Sequence, residues 1–351
     1  MKDNNKVCGI ICEYNPFHDG HRYQIKYIRK HLKPKAIICF MSGNYVQRGE
    51  PAIIDKGTRT KDALYGGADI VIEIPPNHAI NNSENFAKKA FDIINLCNCV
   101  THLSFGCEVV DISLLKNISD MSKEFINTTK LSFNDARADF IERNLKIDKN
   151  IMYNSNLILA IEYLKFIGDI IPFPVKREGA SYNDLNIEQE YPSASALRKK
   201  IAEDNSCKYL VMDDFVSEII HVINFEKISG ISLLKRLKNV LHDAVCTDEI
   251  IENASAKNIS RSTIKRTLMR NILELKEDAS YVHVLGFKDK YSKFLKKFDN
   301  LIYTYNEIYN YDDDILSSYL ENRLADNYYN YKLRIKYKED RDIRMNKVIL
   351  K

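Results

Sequence analysis

Apolar residues fall first into short continuous runs and later into helical stripes. Residues 7–12, VCGIIC, are apolar at nearly every position, the mark of a strand buried on both faces rather than on one. A polar turn with Pro16 and Gly20 follows. From 20 to 32, Tyr23, Tyr27, Ile28 and Leu32 share one helical face. Residues 36–41 (AIICFM) predict a second strand, and a long polar connection leads to a helix over 58–65 that stops at Gly66-Gly67. Residues 69–74 (DIVIEI) predict a third strand stopped by Pro75-Pro76. A helix over 82–96 and a fourth strand over 101–105, ending at Gly106, continue the alternation.

Two or three helices are expected between 111 and 167, then a fifth strand over 172–176 and a helix over 195–203. Strands alternating with helices at this spacing predict a parallel α/β sheet covered on both faces. Such sheets bind ligands beyond the carboxyl ends of their strands, where the strand order reverses. Past residue 205 the strand pattern fades. Residues 231–241, 262–275 and 314–324 carry amphipathic helical patterns. The expected division is therefore 1–204, an α/β domain, and 205–351, a mainly helical domain.

Composition adjusts this picture in three places. The 351 residues include 52 Lys/Arg and 48 Asp/Glu, a net charge of +4 that argues against a uniformly basic coat for nucleic acid. The charge is unevenly spread: residues 1–254 hold 32 basic and 34 acidic side chains, residues 255–351 hold 20 and 14. Eight cysteines, with Cys8, Cys12 and Cys39 in apolar runs, read as reduced core residues, and Cys97-x-Cys99 lacks the further ligands of a zinc site. The N-terminus shows no secretory pattern, and no run of about 18 apolar residues is present. A cytoplasmic protein without membrane spans is expected.

Two constellations carry candidate chemistry. His18-Asp19-Gly20-His21 lies between the first strand and the first helix. A glycine there lets backbone approach a phosphate closely, and a helix start points free N–H groups at an anion. Two imidazoles three residues apart share one helical face, suited to charge developing on a leaving pyrophosphate. The alternatives are a surface turn with incidental histidines and metal ligation, for which a third ligand is missing. The second constellation is Ser193-Ala194-Ser195-Ala196-Leu197-Arg198, either a helix cap or a grip on the β- and γ-phosphates.

A strand followed by HxGH, with a later S-x-S-x-x-R helix start, resembles the HIGH-type nucleotidylyltransferase superfamily, whose Rossmann-like sheet it implies. Longer blocks resemble, in order, the tRNA(Met) cytidine acetate ligase family: EYNPFHDGH (13–21), MSGNYVQRGEPAIIDKGTRT (41–60), DIVIEIP (69–75), FGCE (105–108), ILAIEYLK (158–165), KREGASYND (176–184) and SASALRK (193–199). ISRSTIKRTLMRNIL (259–273) and VHVLGF (282–287) are similar to that family's helical domain.

The resemblance implies a reaction. Acetate and ATP give acetyl-adenylate and pyrophosphate. The N4 amine of the wobble cytidine, C34, in elongator tRNA(Met) then takes the acetyl group and releases AMP. It also implies an ATP site built from Ile11, Cys12, Glu13, Tyr14, Asn15, Pro16, Phe17, His18, Asp19, Gly20, His21, Arg22, Tyr23 and Gln24, with Gly106, Asn156, Arg177 and Glu178. His18 and His21 would stabilise the departing pyrophosphate, and Ser195 and Arg198 would close the phosphate cradle. Mg2+ is expected with ATP, and no protein metal site. The chain departs from the family pattern at Gln24, Leu157 and Glu178.

Gln47, Arg48, Glu50, Asp55, Lys56 and Arg59 make the connection after the second strand dense in charge, read here as a functional loop near acetate or cytidine. In the C-terminal part, Arg261, Lys265, Arg266 and Arg270 recur at helical spacing, and Tyr328, Tyr329, Tyr331 and Tyr337 lie among or just before basic residues. That composition suits an anticodon loop, with about half the tyrosines expected to pack internally. The acidic run Asp312–Asp314 should face away from RNA. Two other readings stay open: a small-molecule adenylyltransferase of the same superfamily, and a non-catalytic tRNA-binding protein.

Overall fold

The computed structural model describes residues 5–129, 131–177, 194–204, 207–225, 227–228, 230–241, 243–256, 258–276, 279–296, 298, 301–302, 311–337 and 348–350. Ten strands occur among them: β1 (Val7–Cys12), β2 (Ala36–Ser42), β3 (Tyr45–Val46), β4 (Glu50–Pro51), β5 (Ile70–Ile74), β6 (His102–Cys107), β7 (Ile171–Lys176), β8 (Val282–Lys288), β9 (Leu301–Ile302) and β10 (Val348–Leu350). The helices of the first half are α1 (Asp19–His31), α2 (Lys56–Tyr65), α3 (Pro76–Ala79), α4 (Ser83–Cys97), α5 (Ile112–Glu124), α6 (Phe133–Leu145) and α7 (Ser155–Phe166). Then come α8 (Ala194–Asp204), α9 (Val216–Asn224), α10 (Ile231–Leu241), α11 (Thr247–Ala254), α12 (Arg261–Ile272), α13 (Ser292–Leu295) and α14 (Asp313–Tyr337).

The main sheet runs β10-β8-β5-β2-β1-β6-β7, with β9 beside β8. β5, β2, β1, β6 and β7 are mutually parallel, so the five expected strands form the expected sheet. Strand order grows from β1 towards β5 on one side and towards β7 on the other. The reversal lies between β1 and β6, and that is where a ligand crevice opens in such sheets.

Alternate residues of each strand serve opposite faces. Cys8, Ile10, Ile37, Cys39 and Met41 meet Ile25, Ile28 and Leu64 of α1 and α2. Ile11, Ile38, Phe40, Ile70, Ile72 and Leu103 meet Phe86, Phe91, Ile94 and Ile161 of α4 and α7. Burial on both faces explains why these strands read as continuous apolar runs.

The C-terminal half is mainly helical, with its own core of Phe215, Ile219, Leu237, Ile251, Ile264, Leu268 and Tyr329. It also returns to the sheet. The VHVLGF segment, grouped above with a helical domain, is strand β8, paired antiparallel to β5. The two halves of the chain thus share one sheet.

Charged residues of the connection after β2 tie the halves together. Lys56 is buried and its Nζ meets Glu73 Oε1 at 2.6 Å and Asp326 of α14. Asn44 donates to Asp326 Oδ1 (2.9 Å) and accepts the Lys56 N–H (2.8 Å). His283 of β8 reaches the other Glu73 oxygen at 2.6 Å. Arg59 is wholly buried and donates to the carbonyls of Ile54 (2.8 Å), Glu13 (2.6 Å), Ser42 (3.0 Å) and Gly43. Lys56 and Arg59 are therefore structural cations, correcting the reading that put them near substrate; Asp55 caps α2 by accepting the Thr58 N–H (3.0 Å).

Removing one partner of a buried ion pair leaves the others uncompensated. Lys56→Met should lower unfolding stability by about 3–5 kcal/mol in urea titration, whereas a change under about 1 kcal/mol would mean the network is not holding the halves together.

Candidate functional site

The loop after β1 turns into α1 through a reciprocal cap. His18 is the N-cap residue: its Nδ1 accepts the Gly20 N–H (3.1 Å), and His21 Nδ1 accepts the His18 N–H (3.3 Å). The two rings stack with centroids 3.7 Å apart, and Tyr14 packs on His21 at 4.6 Å. Because each Nδ1 accepts a backbone N–H, the proton of each neutral ring belongs on Nε2. The constellation therefore offers two N–H donors at a helix start. Burial, and then Arg177, hold His18 down to about 4, and burial with His18 and Arg177 as neighbours holds His21 well below its ordinary value.

These residues line a cleft of about 940 Å3 at the carboxyl ends of β1, β6 and β7. Of the predicted loop, Ile11, Cys12, Glu13, Tyr14, Asn15, His18, Gly20, His21, Tyr23 and Gln24 line it. Gln24 is anchored to Ser104 Oγ of β6 (3.2 Å). Pro16, Phe17, Asp19 and Arg22 do not line it. Phe17 packs edge-on to Tyr14 at 4.9 Å, and Arg22 pairs with Asp19 at 3.3 Å on the outer surface of α1. Cys12 is held well above its ordinary thiol value, first by burial, so it offers no thiolate nucleophile.

Gly106, Asn156, Arg177 and Arg198 line the same cleft. Asn156 Nδ2 donates to Glu108 Oε1 (3.0 Å), and Arg177 Nη1 lies 3.7 Å from that oxygen, so Glu108 gathers both. Arg198 donates to the Asn15 carbonyl (2.9 Å) and to Ser195 Oγ (3.0 Å), tying α8 to the histidine loop. Ser195 thus acts on Arg198. Glu178 and Ser193 lie outside the described residues.

Several lining residues had no local signal. Phe86 and Tyr163 form apolar walls, and a buried Arg137–Glu162 pair (2.6 Å) lies within the lining. The N-terminal part of α12 brings Ser262, Thr263 and Arg266 to the cleft, beside Gln47 and Arg48. Gly49 makes that approach possible. Its φ is +80°, and a Cβ there would overlap the backbone of Arg266. Arg266 is depressed first by burial and then by Arg48, so two guanidinium groups face one space.

The other basic residues of α12 are committed to protein. Lys265 pairs with Glu50 at 2.6 Å, Arg261 with Glu252 at 2.8 Å, and Arg270 donates to the carbonyls of Asn77 (3.1 Å) and Ile80 (3.2 Å). Tyr329 donates to the Ala52 carbonyl (2.7 Å), Tyr328 to Glu218, and Tyr337 to the Tyr209 carbonyl (3.5 Å), while Tyr331 is half exposed. Three of the four tyrosines therefore pack internally. Asp312 caps α14 by accepting the Ile315 N–H (2.9 Å). Among the described residues no three His, Cys, Asp or Glu side chains converge on a metal site, and no helix is long and apolar enough to cross a membrane.

Buried neutral donors make a titration prediction. Burial disfavours the imidazolium, so the ring stays neutral until the pH falls below the depressed value. By NMR of the nucleotide-free protein, His18 should titrate at about 4 and His21 well below its ordinary value. A midpoint near the ordinary value for either ring would mean that charged imidazoles occupy the site.

Residues 5–231 match the HIGH Nucleotidyl Transferase family. The tRNA(Met) cytidine acetate ligase of Thermosipho africanus is 35% identical over 344 residues, with 83% of this chain and 81% of that protein covered. The ligase of the same name from Clostridium perfringens is 33% identical over 350 residues, covering 83% and 86%. The crystal structure of Thermotoga maritima TmcAL without ligand superimposes with a TM-score of 0.87 at 25% identity, over 98% of this chain and 99% of that one. A second structure of that protein, bound with alpha-thio ATP, shares the fold with a TM-score of 0.83. With its histidine cap at the sheet's switch point and relatives matched over most of their length, the chain belongs to the tRNA(Met) cytidine acetate ligase family of HIGH nucleotidyl transferases.

Proposed function

We propose that the protein is an ATP-dependent ligase that activates acetate as acetyl-adenylate and acetylates N4 of the wobble cytidine of elongator tRNA(Met), acting in the cytoplasm. The observation that carries this reading is the stacked His18–His21 cap at the switch point, in a chain of this family. Acetate is a poor acyl donor because its leaving group would be oxide. Adenylation replaces that group with AMP, and the protein's remaining work is positioning and charge stabilisation.

In this reading the Nε2–H groups of His18 and His21 donate to the triphosphate and follow the charge onto the departing pyrophosphate. Arg198, aimed by Asn15 and Ser195, and Arg177 add fixed positive charge. Gly106 lets the nucleotide approach the end of β6, because it places no side chain there. Mg2+ would arrive chelated by the phosphates and water, as it usually does with nucleotides, and would neutralise charge there.

The tRNA is assigned to the opposite wall. Ser262, Thr263 and Arg266 of α12 border the cleft that holds the histidine loop, so a base delivered along α12 meets the adenylate. Arg48 and Arg266 suit the phosphates flanking an extruded cytidine. A small-molecule adenylyltransferase would have no use for this wall.

Incubation with unmodified tRNA(Met), ATP and labelled acetate should yield N4-acetylcytidine; none from folded, ATP-binding protein would overturn the proposal. His21→Ala should lower acetylation by about 10²-fold or more, the range for losing a charge-stabilising donor. Gly49→Ala should push α12 outward. It is expected to raise KM for tRNA several-fold while acetate-dependent ATP–pyrophosphate exchange stays within a few-fold of the parent rate, and equal losses in both would remove tRNA from this wall.

A further inference from the structure

Acyl transfer to an exocyclic amine needs a proton acceptor. The N4 lone pair of cytidine is delocalised into the ring, and the nitrogen becomes acidic only as its bond to the acyl carbon forms. A carboxylate within reach of that nitrogen would lower the barrier by taking the proton as the bond is made.

Among the described residues three acidic side chains line the cleft: Glu13, Glu84 and Glu162. Glu162 is committed to Arg137 (2.6 Å) and Lys165 (2.7 Å). Glu84 is half exposed and lies 3.5 Å from Lys165. Glu13 differs from both. Its Oε1 accepts the Gln47 N–H (2.8 Å), and among the described residues no lysine or arginine comes within ion-pairing distance of it. Among the described residues its second oxygen accepts no hydrogen bond.

The position of Glu13 is also distinctive. It directly follows β1 and opens the loop that carries His18 and His21. Arg59 fixes its carbonyl from behind (2.6 Å). Its hydrogen bond to Gln47 sets it against the segment that meets α12 through Gly49 and Arg266. The carboxylate therefore lies between the phosphate-binding cap and the wall assigned to tRNA.

We propose that Glu13 is the general base of the transfer step, a role that rests on the acetylation reading above. The N4 lone pair attacks the carbonyl carbon of acetyl-adenylate. The C–N bond forms, the C–O bond to phosphate breaks, and its electron pair leaves with AMP. One N4 proton passes to Glu13 Oε2 and from there to water.

The surroundings suit that task. Burial pushes the Glu13 carboxyl above its ordinary value, the Gln47 N–H, Arg48 and Arg198 pull it back, and Glu50 adds to the rise. Arg59 from α2 and Tyr163 from α7 are the other charged or titratable groups that sense it. The result is a carboxylate more basic than an exposed one.

The test separates the two half-reactions. Glu13→Gln keeps the shape and the acceptor for Gln47. Its acetate-dependent ATP–pyrophosphate exchange absorbs any loss that comes from the nucleotide loop, reports a folded site, and should fall far less than the transfer step does. Single-turnover transfer from preformed acetyl-adenylate to tRNA should fall by about 10²–10⁴-fold, the usual contribution of general-base catalysis. The acidic limb of the transfer pH profile should vanish in Glu13→Gln and return, at a lower rate, in Glu13→Asp. Unchanged transfer, or equal losses in both half-reactions, would overturn the role of Glu13. Parent protein that shows no acetate-dependent exchange would instead overturn the acetylation reading itself.

Discussion

Arg59 is the constraint on which the site depends. Parallel strands end with carbonyls that their ladder leaves unpaired, and buried carbonyls without donors are costly. The Arg59 guanidinium lies behind the ends of β1 and β2 and donates to Glu13, Ser42, Gly43 and Ile54. A planar, always charged fork can serve diverging acceptors where a lysine ammonium could not. The loop that becomes the histidine cap thus leaves β1 at a fixed angle. The connection carrying Gln47 and Arg48 leaves β2 from the same anchor. Three residues earlier on the same chain turn, Lys56 performs a second fixation, towards Glu73 of β5 and Asp326 of α14.

Much of this was legible in the sequence where the signal was local. VCGIIC and AIICFM gave buried parallel strands, and HDGH gave a helix start with paired donors. Arg177 and Asn156 were placed in the cleft by resemblance, and both line it. The fates of Lys56 and Arg59 were not legible. A charged residue in a long connection looks the same whether water or a carboxylate 270 positions away receives it. β8 was missed for a related reason: VHVLGF has strand character, but the stretch around it is dominated by helical stripes. The tyrosines near the C-terminus mark packing more than stacking on RNA: α14 sets Tyr329 against the connection after β2, Tyr328 against Glu218 and Tyr337 against Tyr209. The α12 wall depends on one close approach at Gly49, and no short-range pattern announces its partner.

Net charge proved a poor guide to local field. The first 254 residues are close to neutral, yet the cleft they build presents Arg48, Arg177 and Arg198, and α12 adds Arg266. Most of the basic surplus of the last 97 residues that can be followed on α12 is spent on protein contacts. What the C-terminal half contributes to chemistry is position. It brings a polar helix end and one guanidinium to the cleft of the nucleotide loop, and in the proposed reaction activation and transfer share that single space.

That sharing is the central claim, and a pulse–chase experiment addresses it most directly. The protein is loaded with ATP and labelled acetate, then mixed with tRNA(Met) and a large excess of unlabelled acetate, and the label in N4-acetylcytidine is counted after one turnover. If acetyl-adenylate forms and reacts in one cleft, most of the label bound at mixing passes to the tRNA. Label lost to the chase, with acetylcytidine formed from the unlabelled pool, would contradict the account.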